Sequence, residues 1–355
     1  MTEQQLVLLI ATVVKIALIV GISMNIPPIM VWLERRAPAL MQRRRGPNRV
    51  GVFKFRLWGL LQSAADAIKL IFKEEAKPGT ANFFYHLGPI FGLFPAFLVM
   101  SSVSFGNNIE IFGVSVPLQV INVNVGFLFI LALSGMAIYG VILAGWASDN
   151  KFALLGSLRA SAQMVSYEIP MGLSLVPLVL IFDTLDLREM VLAQGSILHW
   201  GVIKAPLSFI IFLITMFAET NRLPFDLAEG ESELVAGFHT EYGSAKFAAF
   251  FLAEYVNMFA LSCLCSIFFF GGWQIPFVPY DTLVALVGHP YIAAALGFLC
   301  LLLKAAFFMW LYVWVRWTIP RFRYDQLMKL GWKFLLPVGL GNIVLTAMVL
   351  AIQNI

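Results

Sequence analysis

Residues 6–31 read LVLLIATVVKIALIVGISMNIPPIMV, 26 residues with one charge, Lys15. A helix needs about 20 consecutive apolar residues to cross the hydrocarbon core of a bilayer, so this stretch predicts a membrane-spanning helix. The five residues before it, MTEQQ, contain no basic residue, and the apolar run is longer than that of a signal peptide. It is therefore read as a retained first span. Seven further stretches meet the same test, at roughly 87–106, 124–146, 160–183, 204–223, 245–270, 291–317 and 334–353. Of these, 160–183 fits least well, because it opens with polar residues and contains Glu168 and Pro170. Prolines 27, 28, 95, 170 and 177 predict kinks, which helices packed among neighbours tolerate.

The whole composition agrees. Of the 355 residues, 60% are hydrophobic and 12% charged, against about 45–50% apolar and about 25% charged in a soluble domain. Mean hydropathy is +0.85. Those values exclude a soluble enzyme, a disordered chain and a nucleic-acid binder. The net charge of +4 is no exception, since 20 of the 24 Lys and Arg fall in four connections, 32–86, 147–159, 220–246 and 316–333. The other connections and the termini hold only Arg188. Basic loops stay cytoplasmic, so both termini are expected outside. Without tandem repeats or a soluble linker, residues 1–355 are one polytopic membrane domain. The expected fold class is an all-α integral membrane protein with eight transmembrane helices.

To these the sequence adds an amphipathic interfacial helix over 57–75. Leu57, Leu60, Leu61, Ala64, Ile68, Ile71 and Phe72 share one stripe, with Gln62, Asp66, Lys69 and Lys73 opposite. Such a helix lies flat with its apolar side in the lipid, and Asp66 can pair with Lys69 on its polar side. The three cysteines (263, 265, 300) and four scattered histidines offer no zinc, haem or iron–sulfur spacing. No metal or redox group is expected on this chain.

Its chemistry is expected from acids. Ionisable groups inside a bilayer are costly and mark functional paths, and Glu168, Glu219 and Glu254 lie in or at the ends of spans four, five and six. Glu219 and Arg222, three apart, can neutralise each other as a structural pair. Three acids in consecutive spans instead suggest a chain of proton-exchanging groups. Residues 218–242, AETNRLPFDLAEGESELVAGFHTEY, add Asp226, Glu229, Glu231, Glu233 and Glu241. Crowded carboxylates repel, so some are expected to hold protons near neutral pH. Lys15 and Lys304 sit inside spans, where each can snorkel or pair.

This stretch also resembles a known family, the large quinone-site membrane subunit of respiratory complex I, the proton-translocating NADH:quinone oxidoreductase of bacteria and mitochondria. Three more segments carry the likeness: ERRAPALMQRRRGPNRVG (34–51), GWASDNKFALLGSLRASAQMVSYE (145–168) and RWTIPRFRYDQLMKLGWK (316–333). One departure is VFKFRLW (52–58), which lengthens the usual connection. The resemblance implies that Glu34, Arg35, Asp66, Arg222 and Arg316 line or support the membrane part of a quinone chamber. It also implies that Glu168, Glu219, Asp226, Glu229, Glu231, Glu233, Glu241 and Glu254 start the proton path. Quinone would be a bound substrate, with iron–sulfur clusters, flavin and NADH on partner subunits. Those partners would be soluble iron–sulfur and quinone-site subunits on the cytoplasmic face, and small and antiporter-like subunits in the membrane.

Arg44 and Arg45 read as positive-inside anchoring and contact with anionic lipid. Two alternatives stand beside this reading: the related membrane subunit of a membrane-bound [NiFe] hydrogenase, and a free-standing transporter. The full acidic pattern of 218–242 favours the quinone enzyme over the first. The absence of an inverted repeat argues against the second. The expected location is a bacterial inner membrane, with an organelle inner membrane as the second possibility.

Overall fold

The computed structural model describes residues 3–51, 56–75, 78–79, 82–228 and 230–353. Fourteen helices and one hairpin appear in chain order among them. Helix α1 is Glu3–Met41, α2 Leu61–Phe72 and α3 Phe83–Ser102, followed by strands β1 Ile109–Ile111 and β2 Val114–Val116. Then come α4 Gly126–Ala147, α5 Lys151–Phe182, α6 Leu187–Ala193, α7 Gly201–Lys204, α8 Pro206–Glu219 and α9 Glu231–Leu234. The chain ends with α10 Ser244–Phe269, α11 Tyr280–Val287, α12 Pro290–Thr318, α13 Tyr324–Lys329 and α14 Leu336–Gln353.

Seven helices among the described residues are long and apolar enough to cross a membrane, with α13 and α14 joined as one, Tyr324–Gln353. The segment expected at 204–223 is instead the 14-residue α8. At 1.5 Å per residue it rises about 21 Å, short of a hydrocarbon core of about 30 Å. Pro206 starts it and the chain leaves the helix after Glu219, which puts Arg222 in a turn. The prolines lie within continuous helices. Pro27, Pro28 and Pro38 lie within α1, and Pro170 and Pro177 within α5.

Two spans run further than the hydropathy predicts. Helix α1 continues past residue 31 to Met41, so Glu34 and Arg35 are helical. Helix α5 begins at Lys151 and carries Arg159. Polar residues on such extensions dilute mean hydropathy but leave the backbone hydrogen bonding intact. The interfacial helix shortens to a 3-10 turn, Leu57–Gly59, and α2. Its Ile68, Ile71 and Phe72 are exposed. Asp66 pairs with Arg35 at 2.6 Å, not with Lys69. Lys54 and Lys77, and most of the inserted 52–58, lie outside the described residues.

Helix α10 is the centre of the bundle, buried along nearly all of Tyr255–Phe269. Around it the Arg-rich connections meet at one end. Tyr85 donates to the Glu241 carbonyl at 2.9 Å, Asn150 to Glu241 Oε1 at 2.6 Å, and the Phe322 amide to the Pro224 carbonyl at 3.1 Å. At the other end the hairpin is tied to α12 by Tyr291 on the Glu110 carbonyl at 2.6 Å. Lys304 donates to the carbonyls of Phe270, Gly272 and Gln274 at 2.7–2.8 Å. Its charge therefore closes the open carbonyl end of α10.

The acidic connection lies directly on α5, which two glycines allow. A Cβ on Gly156 would meet Gly237 Cα at 2.7 Å and the Phe238 amide at 2.9 Å. Gly237 itself has φ +56°, a region that favours glycine. Backbone cannot yield as a flexible side chain does. Gly156→Ala should therefore lower the thermal stability of the purified complex by about 1–3 kcal/mol. Gly21→Ala, where a Cβ meets nothing within 4 Å, should leave it unchanged. Matched melting curves in one detergent make the comparison.

Candidate functional site

Glu34 is 8% exposed and Arg222 7%. A charge so buried needs a partner, and these two are partners, with Arg222 Nη1 3.2 Å from Glu34 Oε1. Three more groups complete the cluster. Arg316 Nη1 donates to Glu34 Oε2 at 2.5 Å and Tyr255 Oη to the same oxygen at 2.7 Å. Arg222 Nε lies 2.5 Å from Glu254 Oε1, held by charge more than by an aligned hydrogen bond. The guanidinium also stacks over the Tyr255 ring, 4.3 Å from its centroid. Burial alone would lower the pKa of Arg222, but Glu254 and Glu34 outweigh it and hold that pKa above its ordinary value.

The elements explain the meeting. Glu34 comes from the extension of α1, Arg222 from the turn after α8, Glu254 and Tyr255 from α10, and Arg316 from the last turns of α12. The pairing of Glu219 with Arg222 does not form. The i, i+3 relation holds only on a continuing helix, and α8 stops at Glu219.

Glu219 instead faces a cavity of about 80 Å³ behind the cluster. It is 2% exposed, and neither carboxylate oxygen has a hydrogen-bond partner among the described residues. Glu254, His239, Thr220, Asn221, Asn257 and Ser134 share the walls with apolar side chains. The lining is mostly apolar with these polar groups set into it, and by volume the space has room for several waters, each needing about 10–15 Å³ by the same measure. Ser134 lies 3.4 Å from Glu168 Oε1, and Glu168 is near enough to act electrostatically on Glu219. Glu254 therefore belongs to both cluster and cavity.

The other described acids of the connection have separate partners. Asp226 pairs with Arg321 at 2.8 Å and Glu233 with Arg159 at 2.6 Å, and Glu241 accepts from Asn150. Arg35 and Asp66 form their own half-exposed pair, to which Gln62 adds a hydrogen bond at 3.1 Å. Glu229 and the side chain of Glu231 lie outside what is described. Among the described residues no group of three or more His, Cys, Asp or Glu is placed to hold a metal ion.

Tyr255, His239 and Ser134 are missed by the sequence reading. An aromatic residue in an apolar run reads as core, and only the adjacent Glu254 hints otherwise. Apart from the cluster, Tyr242 stacks on Tyr85, with centroids 4.3 Å apart, and donates to the Tyr85 carbonyl at 3.0 Å. Burial pushes the Tyr242 hydroxyl above its usual pKa, so it stays a neutral donor.

The model of the NADH dehydrogenase family matches residues 13–347. Among curated proteins, the NADH-quinone oxidoreductase H subunit of Protochlamydia amoebophila is 49% identical over 319 residues, 90% of this chain and 91% of its own length. The corresponding protein numbered H 1 in Geobacter metallireducens is 47% identical over 340 residues, 96% of each chain. The H subunit of Flavobacterium psychrophilum is 45% identical over 339 residues, 95% of this chain and 96% of its own.

Proposed function

Since this chain belongs to the NADH dehydrogenase family, we propose that it is the H subunit of a proton-translocating NADH–quinone oxidoreductase. In this reading it forms the membrane part of the quinone chamber and the start of the proton path. One observation carries the reading: Arg222 contacts Glu34 on one side and Glu254 on the other. Glu34, with Arg316, Arg35 and Asp66, supports the chamber. Glu254 opens on the cavity that holds Glu219 and leads through Ser134 to Glu168.

The chemistry follows from charge. A quinone that accepts two electrons from a partner subunit's iron–sulfur cluster must also take up two protons. As negative charge builds on it, it competes with Glu34 for Arg316 and Arg222, because guanidinium stays protonated and donates in several directions. Any loss of Arg222 from Glu254 raises the proton affinity of that carboxylate. A proton drawn to Glu254 comes across the hydrated cavity from Glu219 and Glu168. Asp226, Glu229, Glu231, Glu233 and Glu241 are the loop-side supply.

Under this proposal the Arg-rich connections face the cytoplasm of a bacterial cell, both termini lie outside, and α7 and α8 together, 201–219 and about 28 Å long at 1.5 Å per residue, make the eighth crossing. The partners are soluble iron–sulfur, flavin and quinone-site subunits and small and antiporter-like membrane subunits. In a Cys-free background, Arg44→Cys, Lys151→Cys and Lys329→Cys should react only with a membrane-permeant thiol reagent. Asn108→Cys and His289→Cys should react with an impermeant one. The reverse pattern overturns the orientation.

Arg316→Ala tests the chamber. Glu34 keeps Arg222 and Tyr255, so assembly should survive. NADH–quinone reductase activity should fall by about tenfold or more, as expected when a positioning contact is lost. NADH–ferricyanide activity, which bypasses the membrane, should stay at the wild-type level. Equal loss of both activities would contradict the assignment.

A further inference from the structure

We propose that the end of the bundle opposite the Arg222 cluster binds one anionic phospholipid, an acyl chain in an apolar cavity and the headgroup at Lys15. The cavity is about 310 Å³, twice the size of an engineered apolar cavity of about 150 Å³ that holds benzene. Its walls come from three separate elements: Leu18 and Ile22 of α1, Phe105 and Leu118 of the hairpin connection, and Ala295 and Phe298 of α12. Nearly all of this lining is apolar, so it suits a hydrocarbon chain and gives a polar ligand nothing to bond.

Lys15 sits at this cavity and supplies the specificity. Its ammonium donates to the Pro117 carbonyl at 3.0 Å and the Gln119 carbonyl at 2.9 Å. An ammonium has three donors, so one remains. The two carbonyls orient the charge without neutralising it, and none of the ion pairs among the described residues includes Lys15. Among the described residues the acid on the adjoining hairpin is Glu110. It alternates along β1 with Ile109, which lines the cavity, so its side chain points to the other face. Tyr291 holds it there through its backbone carbonyl at 2.6 Å. A positive charge at the mouth of a hydrocarbon slot selects a headgroup with net negative charge over a zwitterionic one.

This site is not the quinone chamber. Lys15 and Glu34 lie on one helix, 19 residues apart, or about 28 Å at 1.5 Å per residue.

The test uses the intact complex, delipidated in detergent and titrated with phosphatidylglycerol or phosphatidylcholine vesicle lipid, with bound lipid counted by native mass spectrometry. The wild type should prefer phosphatidylglycerol by about fivefold, the factor one basic residue supplies at a membrane surface. Lys15→Leu should lose that preference, Lys15→Arg should keep it, and Ala295→Trp should lower uptake of both lipids by filling the slot. If Lys15→Leu does not assemble, Lys15→Gln takes its place, since its amide can still donate to both carbonyls but carries no charge. Equal uptake of both lipids by the wild type, a preference that survives Lys15→Leu, or displacement of the lipid by a long-tailed quinone would overturn the proposal.

Discussion

Arg222→Ala is expected to cost the protein about 3–5 kcal/mol of stability, the usual penalty for breaking a buried ion pair by removing one partner. Glu34 and Glu254 would both lose the guanidinium, at side-chain exposures of only 10% and 18%. Arg316 and Tyr255 would still hold Glu34, which limits the loss on that side. Quinone reduction should fall by at least about tenfold even in the fraction that assembles. Arg222→Lys should recover folding better than activity, because one ammonium cannot reproduce a planar fork that touches two carboxylates and stacks on Tyr255. Thermal melting with reductase assays on matched preparations makes the check, and a stable, fully active Arg222→Ala complex would strip the cluster of its role.

Glu219→Gln should have the opposite signature. Its carboxylate has no hydrogen-bond partner among the described residues, so the nearly isosteric amide takes away no bond. An unpaired buried acid also costs more to bury than an amide does. Stability should therefore stay within about 0.5 kcal/mol of the wild type or rise. What is lost is a titrating group between Glu254 and Glu168. NADH–quinone turnover should fall by about tenfold or more, as for loss of a proton-transfer group. A folded complex with lost coupling and a destabilised complex with broken charge pairs are thus separable outcomes of two neighbouring substitutions.

The contrast shows what can be read from sequence alone. Apolar runs of the right length mark the helices, because water exclusion acts locally on each segment, and α4, α10 and α12 end within two residues of their expected limits. Loop charge marks one end of the bundle for the same reason. Pairing is different, since it depends on which helices pack together. Arg222 meets Glu34 across 188 residues and Arg316 meets Glu34 across 282, and no local spacing encodes either contact. The i, i+3 logic that joins Glu219 to Arg222 fails because α8 ends between them. At 218–242 the described acids Asp226, Glu233 and Glu241 reach toward three different helices or connections, which spacing in sequence does not encode. A polar residue in apolar surroundings still carries a signal, as Glu254 does, while Tyr255 beside it is hidden by its own hydrophobic ring.

If Glu219 lies on the route that couples quinone chemistry to proton movement, the number of protons translocated per NADH oxidised must depend on it. That ratio is measured in proteoliposomes holding assembled Glu219→Gln complex, with NADH–ferricyanide activity as the measure of enzyme content. Quinone turnover should be low and, in the turnover that remains, the ratio should lie below that of the wild type. Full turnover with an unchanged ratio would contradict the coupling role and leave Glu219 a buried acid with no part in it.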